Sequence, residues 1–153
     1  RDIGTIDAYF WAQMDLVSTH PQFNLYNTVW PIRTGIDHSP PAKFVFRDEV
    51  NERVGLATES IVSLGCIISG GRIHRTVMGN RCRINSFSDV QESVLMEGVN
   101  IGRHARIRRA VIDKNVDIPP GTEIGYNRER DRERFFVSDN GIVVIPKATR
   151  LGS

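Results

Sequence analysis

The sequence predicts a mainly β chain. Its centre is a parallel β-helix of about four coils, with a helix before it and a short helix plus a strand after it. Three observations predict this. The pairs Ile61-Val62, Val77-Met78, Val94-Leu95 and Val111-Ile112 recur at steps of 16, 17 and 17 residues. Ile68, Ile84, Ile101 and Ile118 recur with the same steps, and Ile73, Val90, Ile107 and Ile124 at 17, 17 and 17. The three columns lie five to six residues apart throughout Glu59 to Gly125. Apolar residues spaced like this describe a three-sided coil of hexapeptide type.

One side of such a coil cannot bury its apolar face alone. Three sides wound together enclose a narrow core, and successive coils stack at a strand separation of roughly 4.8 Å. Each column then becomes a ladder of like side chains, which suits β-branched Val and Ile. Ser60, Thr76, Ser93 and Ala110 precede the first column and fit a tight inner position. Asn85-Ser86, Gly102, Pro119-Pro120-Gly121 and Gly70-Gly71 fall where the chain must turn.

Ahead of the coils, Thr5 is an N-cap for a helix over Ile6 to Val17, with Asp7 at the positive end of its dipole. The helix is apolar around much of its circumference, so cover on more than one side is expected. His20-Pro21 ends it. Phe23 to Arg33 mixes apolar and turn residues around Trp30-Pro31, and Asp37 to Pro41 is a loop. Lys43 to Phe46 reads as a strand and Arg47 to Arg53 as an exposed connection. After the coils, Arg128 to Phe136 reads as a helix that docks Phe135 and Phe136 on the open end. Asp139-Asn140-Gly141 is a turn and Ile142 to Ile145 a last strand, before a basic tail.

The chain has 153 residues and a net charge of +2, from 20 basic and 18 acidic residues. That balance gives no reason to expect nucleic acid or membrane partners. No apolar run approaches the roughly 20 residues of a membrane span, and the start carries no signal peptide, so a cytoplasmic location is expected. Cys66 and Cys82 share a column with Val99 and Val116, which predicts two buried, reduced thiols. Arg81, Arg83, Arg103, Arg106, Arg108, Arg109 and Lys114 lie on the repeats. They form a solvated outer face or, more sharply, a few of them build an anion site. The four histidines, His20, His38, His74 and His104, have no nucleophile or base nearby in sequence. Asp2, before Gly4-Thr5 and a helix start, is either an ordinary loop residue or a carboxylate reaching a metal or a sugar hydroxyl. From the residues alone, the chain is a structural and binding module without a self-contained active site.

The segment Arg1 to Tyr9, the blocks Trp30-Pro31-Ile32-Arg33-Thr34 and Pro40-Pro41-Ala42-Lys43-Phe44-Val45, and Asp131-Arg132-Glu133-Arg134-Phe135 add a further reading. With the coil segments Ile67-Ile68-Ser69-Gly70 and Val111-Ile112-Asp113-Lys114, they resemble the C-terminal portion of bacterial glucose-1-phosphate adenylyltransferases (ADP-glucose pyrophosphorylases). The resemblance covers almost the whole chain. It implies a left-handed β-helix with regulatory and oligomerising roles in a homotetramer. It divides the chain into residues 1–18, the end of the catalytic nucleotidyltransferase domain, 19–54, a linker with the first strands, and 55–153, the β-helix domain with its cap.

The parent enzyme so implied joins ATP and glucose 1-phosphate, with magnesium, to give ADP-glucose and pyrophosphate for glycogen synthesis. Among its active-site positions only Asp2 is matched, as a magnesium-associated carboxylate. The glycine-rich nucleotide loop lies in the missing N-terminal catalytic domain, so this chain alone is expected to be inactive and to need no cofactor. The resemblance also implies an activator site for a sugar phosphate at Lys114, Lys147 and Arg150. Lysine there keeps the charge but loses the planar fork of arginine. The competing readings are a fragment of another sugar-phosphate nucleotidyltransferase, a free-standing hexapeptide-repeat acyltransferase, and a purely structural oligomerisation module. The even coil length leaves no long loop for the second, and Pro-Pro-Ala-Lys-Phe argues against the first.

Overall fold

A computed structural model describes residues 3–152. The chain is a parallel β-helix of about four coils with two helices. Helix α1, Ile6–Leu16, starts at Thr5, whose hydroxyl accepts from the Ala8 N–H at 3.1 Å. Three sheets then form the faces of the coil. The first stacks Lys43–Val45, Ile67–Ser69, Arg83–Ile84, Asn100–Ile101 and Asp117–Ile118. The second stacks Leu56–Thr58, Arg72–His74, Asp89–Gln91, Arg106–Arg108 and Glu123–Ile124. The third stacks Ile61–Val62, Val77–Met78, Val94–Leu95, Ala110–Ile112 and Val143–Ile145, all parallel.

The sequence columns are the registers of these sheets. Ile68, Ile84, Ile101 and Ile118 lie one above another, as do Ile73, Val90, Ile107 and Ile124. The paired column splits, because successive strand residues face opposite ways. Met78, Leu95, Ile112 and Ile145 enter the coil core, while Val94 and Val111 pack outward against Phe10 and Met14 of α1. A sheet covered on both faces needs apolar residues on both, which explains the doublets.

The corners rest on left-handed residues in three columns. These are Glu59, Arg75, Glu92 and Arg109; Gly65, Arg81, Gly98 and Asn115; and Gly70, Phe87, His104 and Gly121. A non-glycine residue there costs about 1–2 kcal/mol. Inter-coil hydrogen bonds offset it, as where the N–H of Glu92 donates to the His74 carbonyl at 2.9 Å and that of Arg109 to the Gln91 carbonyl at 3.2 Å.

Three expectations need correction. α1 fully buries only Phe10 and Met14, which pack with Val94 and Val111 of the third sheet and with Ile142 of the cap, while Trp11 on another side stays exposed. Arg47–Asp48 and Arg53–Val54 pair as a small antiparallel hairpin instead of a plain connection. The second helix, α2, is Arg128–Arg134 and stops before the aromatics. Phe135 packs on the core end, but Phe136 is exposed, since it opens the strand Phe136–Val137, where neighbours alternate in direction. That strand pairs antiparallel with Val143–Ile145 and closes the third sheet.

The cap is bound back to α1. Asp7 accepts from the Ser138 hydroxyl and, at 3.0 Å, from the Asn140 amide. Its role therefore exceeds the dipole interaction expected from sequence. Cys66 and Cys82 are buried free thiols, donating to the carbonyls of Gly79 (3.1 Å) and Met96 (3.0 Å). A hydrogen bond with Cys66 and burial hold the Cys82 thiol above its ordinary value.

Candidate functional site

The third sheet sets the position of two of the candidate cations. Ile112 pairs with Ile145, and the next link runs from the Asp113 N–H to the Ile145 carbonyl at 3.0 Å. The strands end at Ile112 and Ile145, and beyond them a side chain takes over the link between the two chains. The carboxylate of Asp113 fastens both chains there. It accepts from the Lys114 N–H at 2.7 Å and from the Lys147 N–H at 3.1 Å. Both lysines are exposed. Burial, and then the charge of Asp113, raise the pKa of the Tyr9 hydroxyl on α1. Two lysines from neighbouring strands thus share one backbone anchor.

Arg150 lies elsewhere. It lines a groove of about 760 Å³ along the first sheet, with Asn85, Asn100, Arg103 and Asp117. Asn115 and Ala148, which follow the two lysines in sequence, also line it. The groove therefore adjoins the lysine pair without including it. The structure joins the backbones of Lys114 and Lys147 through Asp113 and sets Arg150 beyond them, in the groove.

Asp2 lies outside the described residues. Among the described residues no group of three or more His, Cys, Asp or Glu side chains is placed to hold a metal. His74 faces solvent, with Nδ1 2.8 Å from the Thr58 hydroxyl and Nε2 3.7 Å from Glu59. His104 stacks on Phe87, ring centres 5.0 Å apart. His20 and His38 are exposed.

Asp113 escaped the sequence reading, although its place directly before Lys114 was a signal. So did a convergence of arginines at the cap. Of these, the Arg108-Arg109 doublet was visible, while Arg128 is brought in only by the fold.

The geometry agrees with the kinship of the chain. Residues 40–145 match the family model described as "GlmU-like, C-terminal hexapeptide". A glucose-1-phosphate adenylyltransferase of Anaeromyxobacter sp. is 56% identical over 151 residues, which are 99% of this chain and 37% of that protein. The namesake enzyme of Koribacter versatilis is 52% identical over 96% of this chain and 35% of its own length. That of Deinococcus radiodurans is also 52% identical, again over 96% and 35%. The chain is thus similar to the C-terminal portion of these enzymes and spans little more than a third of their length. With the coil register, the corner columns and the match over residues 40–145 in agreement, the chain belongs to the GlmU-like, C-terminal hexapeptide family.

Proposed function

We propose that this chain is the regulatory and oligomerisation part of a glucose-1-phosphate adenylyltransferase. The observation that carries the reading is the 56% identity over 99% of the chain with an enzyme of that name. In this reading an N-terminal catalytic domain joins ATP and glucose 1-phosphate to give ADP-glucose and pyrophosphate, with magnesium held in that domain. Residues 1–18 are then the end of the catalytic domain, 19–54 the linker with the first strands, and 55–153 the β-helix domain. The uncovered side of α1 and the exposed Phe23, Tyr26, Val29 and Trp30 offer an apolar surface for the catalytic domain or a second subunit. Exposed apolar surface of this kind marks interaction sites.

Regulation is proposed at the Lys114 and Lys147 pair, with Arg150 beyond it, acting on a sugar phosphate. Lysine ammonium groups bind phosphate as point charges, and charge-assisted contacts are about twice as strong as neutral ones. Asp113 fixes the backbone of both lysines, so less freedom is lost when the ligand arrives.

The test uses the full-length enzyme. Lys114→Ala should abolish or strongly weaken activation by sugar phosphates and leave basal ADP-glucose synthesis in place. Unchanged activation would remove the assignment. The 153-residue chain alone should make no ADP-glucose from ATP, glucose 1-phosphate and magnesium; turnover by it would refute the division of labour.

A further inference from the structure

We propose a second anion site, for a phosphoryl group, in the cleft between the last full coil and the C-terminal cap. It lies at a different corner from the lysine pair and does not depend on the regulatory reading. The cleft holds about 270 Å³ and is lined by Arg108, Arg109, Arg128, Tyr126 and Asp131, among others. Three guanidiniums from three places converge there. Arg108 ends a strand of the second sheet, Arg109 is the left-handed corner after it, and Arg128 opens α2.

Their present partners use only part of their capacity. Arg108 donates from Nη2 to the Gly125 carbonyl at 3.3 Å, Arg109 to that of Asn140 at 3.2 Å, and Arg128 to that of Asp139 at 3.2 Å. Each guanidinium carries five N–H donors. Among the described residues, Nε of Arg109 is buried without a hydrogen-bond partner. A buried charged donor left unpaired is costly, which sets Arg109 apart from the other two.

Charge and pre-organisation both favour a dianion. The carboxylate in the cleft, Asp131, is already engaged by the Gly125 N–H at 2.9 Å and by Arg134 at 3.2 Å. Three positive groups against one such carboxylate leave the lining at +2. The Tyr126 ring holds the guanidinium of Arg106 at 4.2 Å and that of Arg108 at 4.7 Å, which limits the freedom Arg108 would lose on binding. Planar forks presented from several directions suit the oxygens of a phosphoryl group. The group can be inorganic phosphate or the phosphoryl end of a metabolite.

The test is calorimetric titration of the 153-residue chain with inorganic phosphate at constant ionic strength, with chloride as control. A parallel arm uses glucose 6-phosphate. Saturable binding is expected. Arg108→Gln with Arg128→Gln should weaken it by about tenfold or more, since two charge-assisted contacts are lost. Lys114→Ala with Lys147→Ala should leave it intact. Equal affinity for the two probes indicates free phosphate, and tighter glucose 6-phosphate a metabolite; either supports the site. Arginine Nε–H resonances of the unmodified chain give a readout that does not rely on any variant folding. Those of Arg108, Arg109 and Arg128 should shift with phosphate. Absence of saturable binding, loss of it in the lysine variant, or shifts confined to other arginines would overturn the proposal.

Discussion

Two regions of this chain hold similar apolar side chains and treat them in opposite ways. Along the coils, the inward residues Ile84, Ile101 and Ile107 are all fully buried. In the stretch between α1 and the first strand, Val29 is 94% exposed, Trp30 84% and Ile36 85%. The difference is periodicity. A residue recurring every 16 or 17 positions meets its own like in the next coil, so the repeat supplies its own cover. The stretch after α1 has no such recurrence. Its backbone is held by local side-chain caps, with Asn24 accepting from the Tyr26 N–H at 2.9 Å and Asn27 from the Val29 N–H at 3.0 Å. Such turns fix a path without burying apolar surface. Stability should therefore be concentrated in the ladders, while the exposed stretch awaits another surface.

The sharpest way to break this contrast is Ile101→Ala. Ile101 sits between Ile84 and Ile118 at full burial. Deleting it leaves a cavity that two stacked neighbours cannot collapse into without losing register, and the expected cost is about 2–5 kcal/mol. Urea unfolding should show the midpoint fall with little change in slope. A loss well under the lower bound would mean that the ladder is not the main store of stability.

The next largest effect is expected at the cap. Asp131 is 2% exposed and accepts from Gly125 and Arg134. Asp131→Asn keeps its size but removes the charge that both donors face, which should cost about 1–3 kcal/mol. Hydrogen exchange should rise first in Phe136–Val137 and Val143–Ile145, the strands the cap closes. Uniform exchange along all coils would show that cap and ladders unfold as one unit, and the contrast would lose its local character.

The ladders were legible in the sequence because their signal is geometric. Three columns in phase fix the sheet registers, and every expected pairing is observed. The corners were legible only in part. Glycine and proline mark some, but Glu59, Arg75 and Glu92 turn left-handed with nothing in their chemistry to announce it. There the coil overrides local preference. Phe136 misled because apolarity alone does not say which way a strand residue points. The convergence of Arg128 with Arg108 and Arg109 was hidden for a similar reason. Residues nearly twenty positions apart meet only through the fold of the cap, which has no repeat to reveal it.

A smaller effect should appear where the two regions are tied together. Asp37 accepts from Asn80 at 2.8 Å and from Arg81 at 2.6 Å, anchoring the loop to a coil corner. Hydrogen bonds from Ser39, and then from Arg81, hold its carboxyl well below the ordinary carboxylate range. A depressed folded-state pKa stabilises above the unfolded value, about 3.9, and that contribution is lost as pH falls below it. The difference in stability between the unmodified chain and Asp37→Asn should be flat near neutrality and shrink on acidification. A difference that stays constant through the acid range would mean that the tie does not depend on the charge.

The smallest expected effect is the most informative about the exposed stretch. Trp30→Ser removes a large ring that is 84% exposed, so nothing the chain buries is lost. Surface changes of this kind fall within about 0.5 kcal/mol, and the urea midpoint of the 153-residue chain should hardly move. In the full-length enzyme the same substitution should weaken assembly, because a ring of that size in a buried interface is commonly an anchor costing roughly 2 kcal/mol or more when removed. Sedimentation across a dilution series would show the oligomer dissociating at higher concentration than the unmodified enzyme. The two measurements separate the possible roles. A stability loss in the short chain would place Trp30 against the coil and erase the contrast between the regions. Unchanged assembly in the long protein would leave the exposed ring without the partner surface proposed for it.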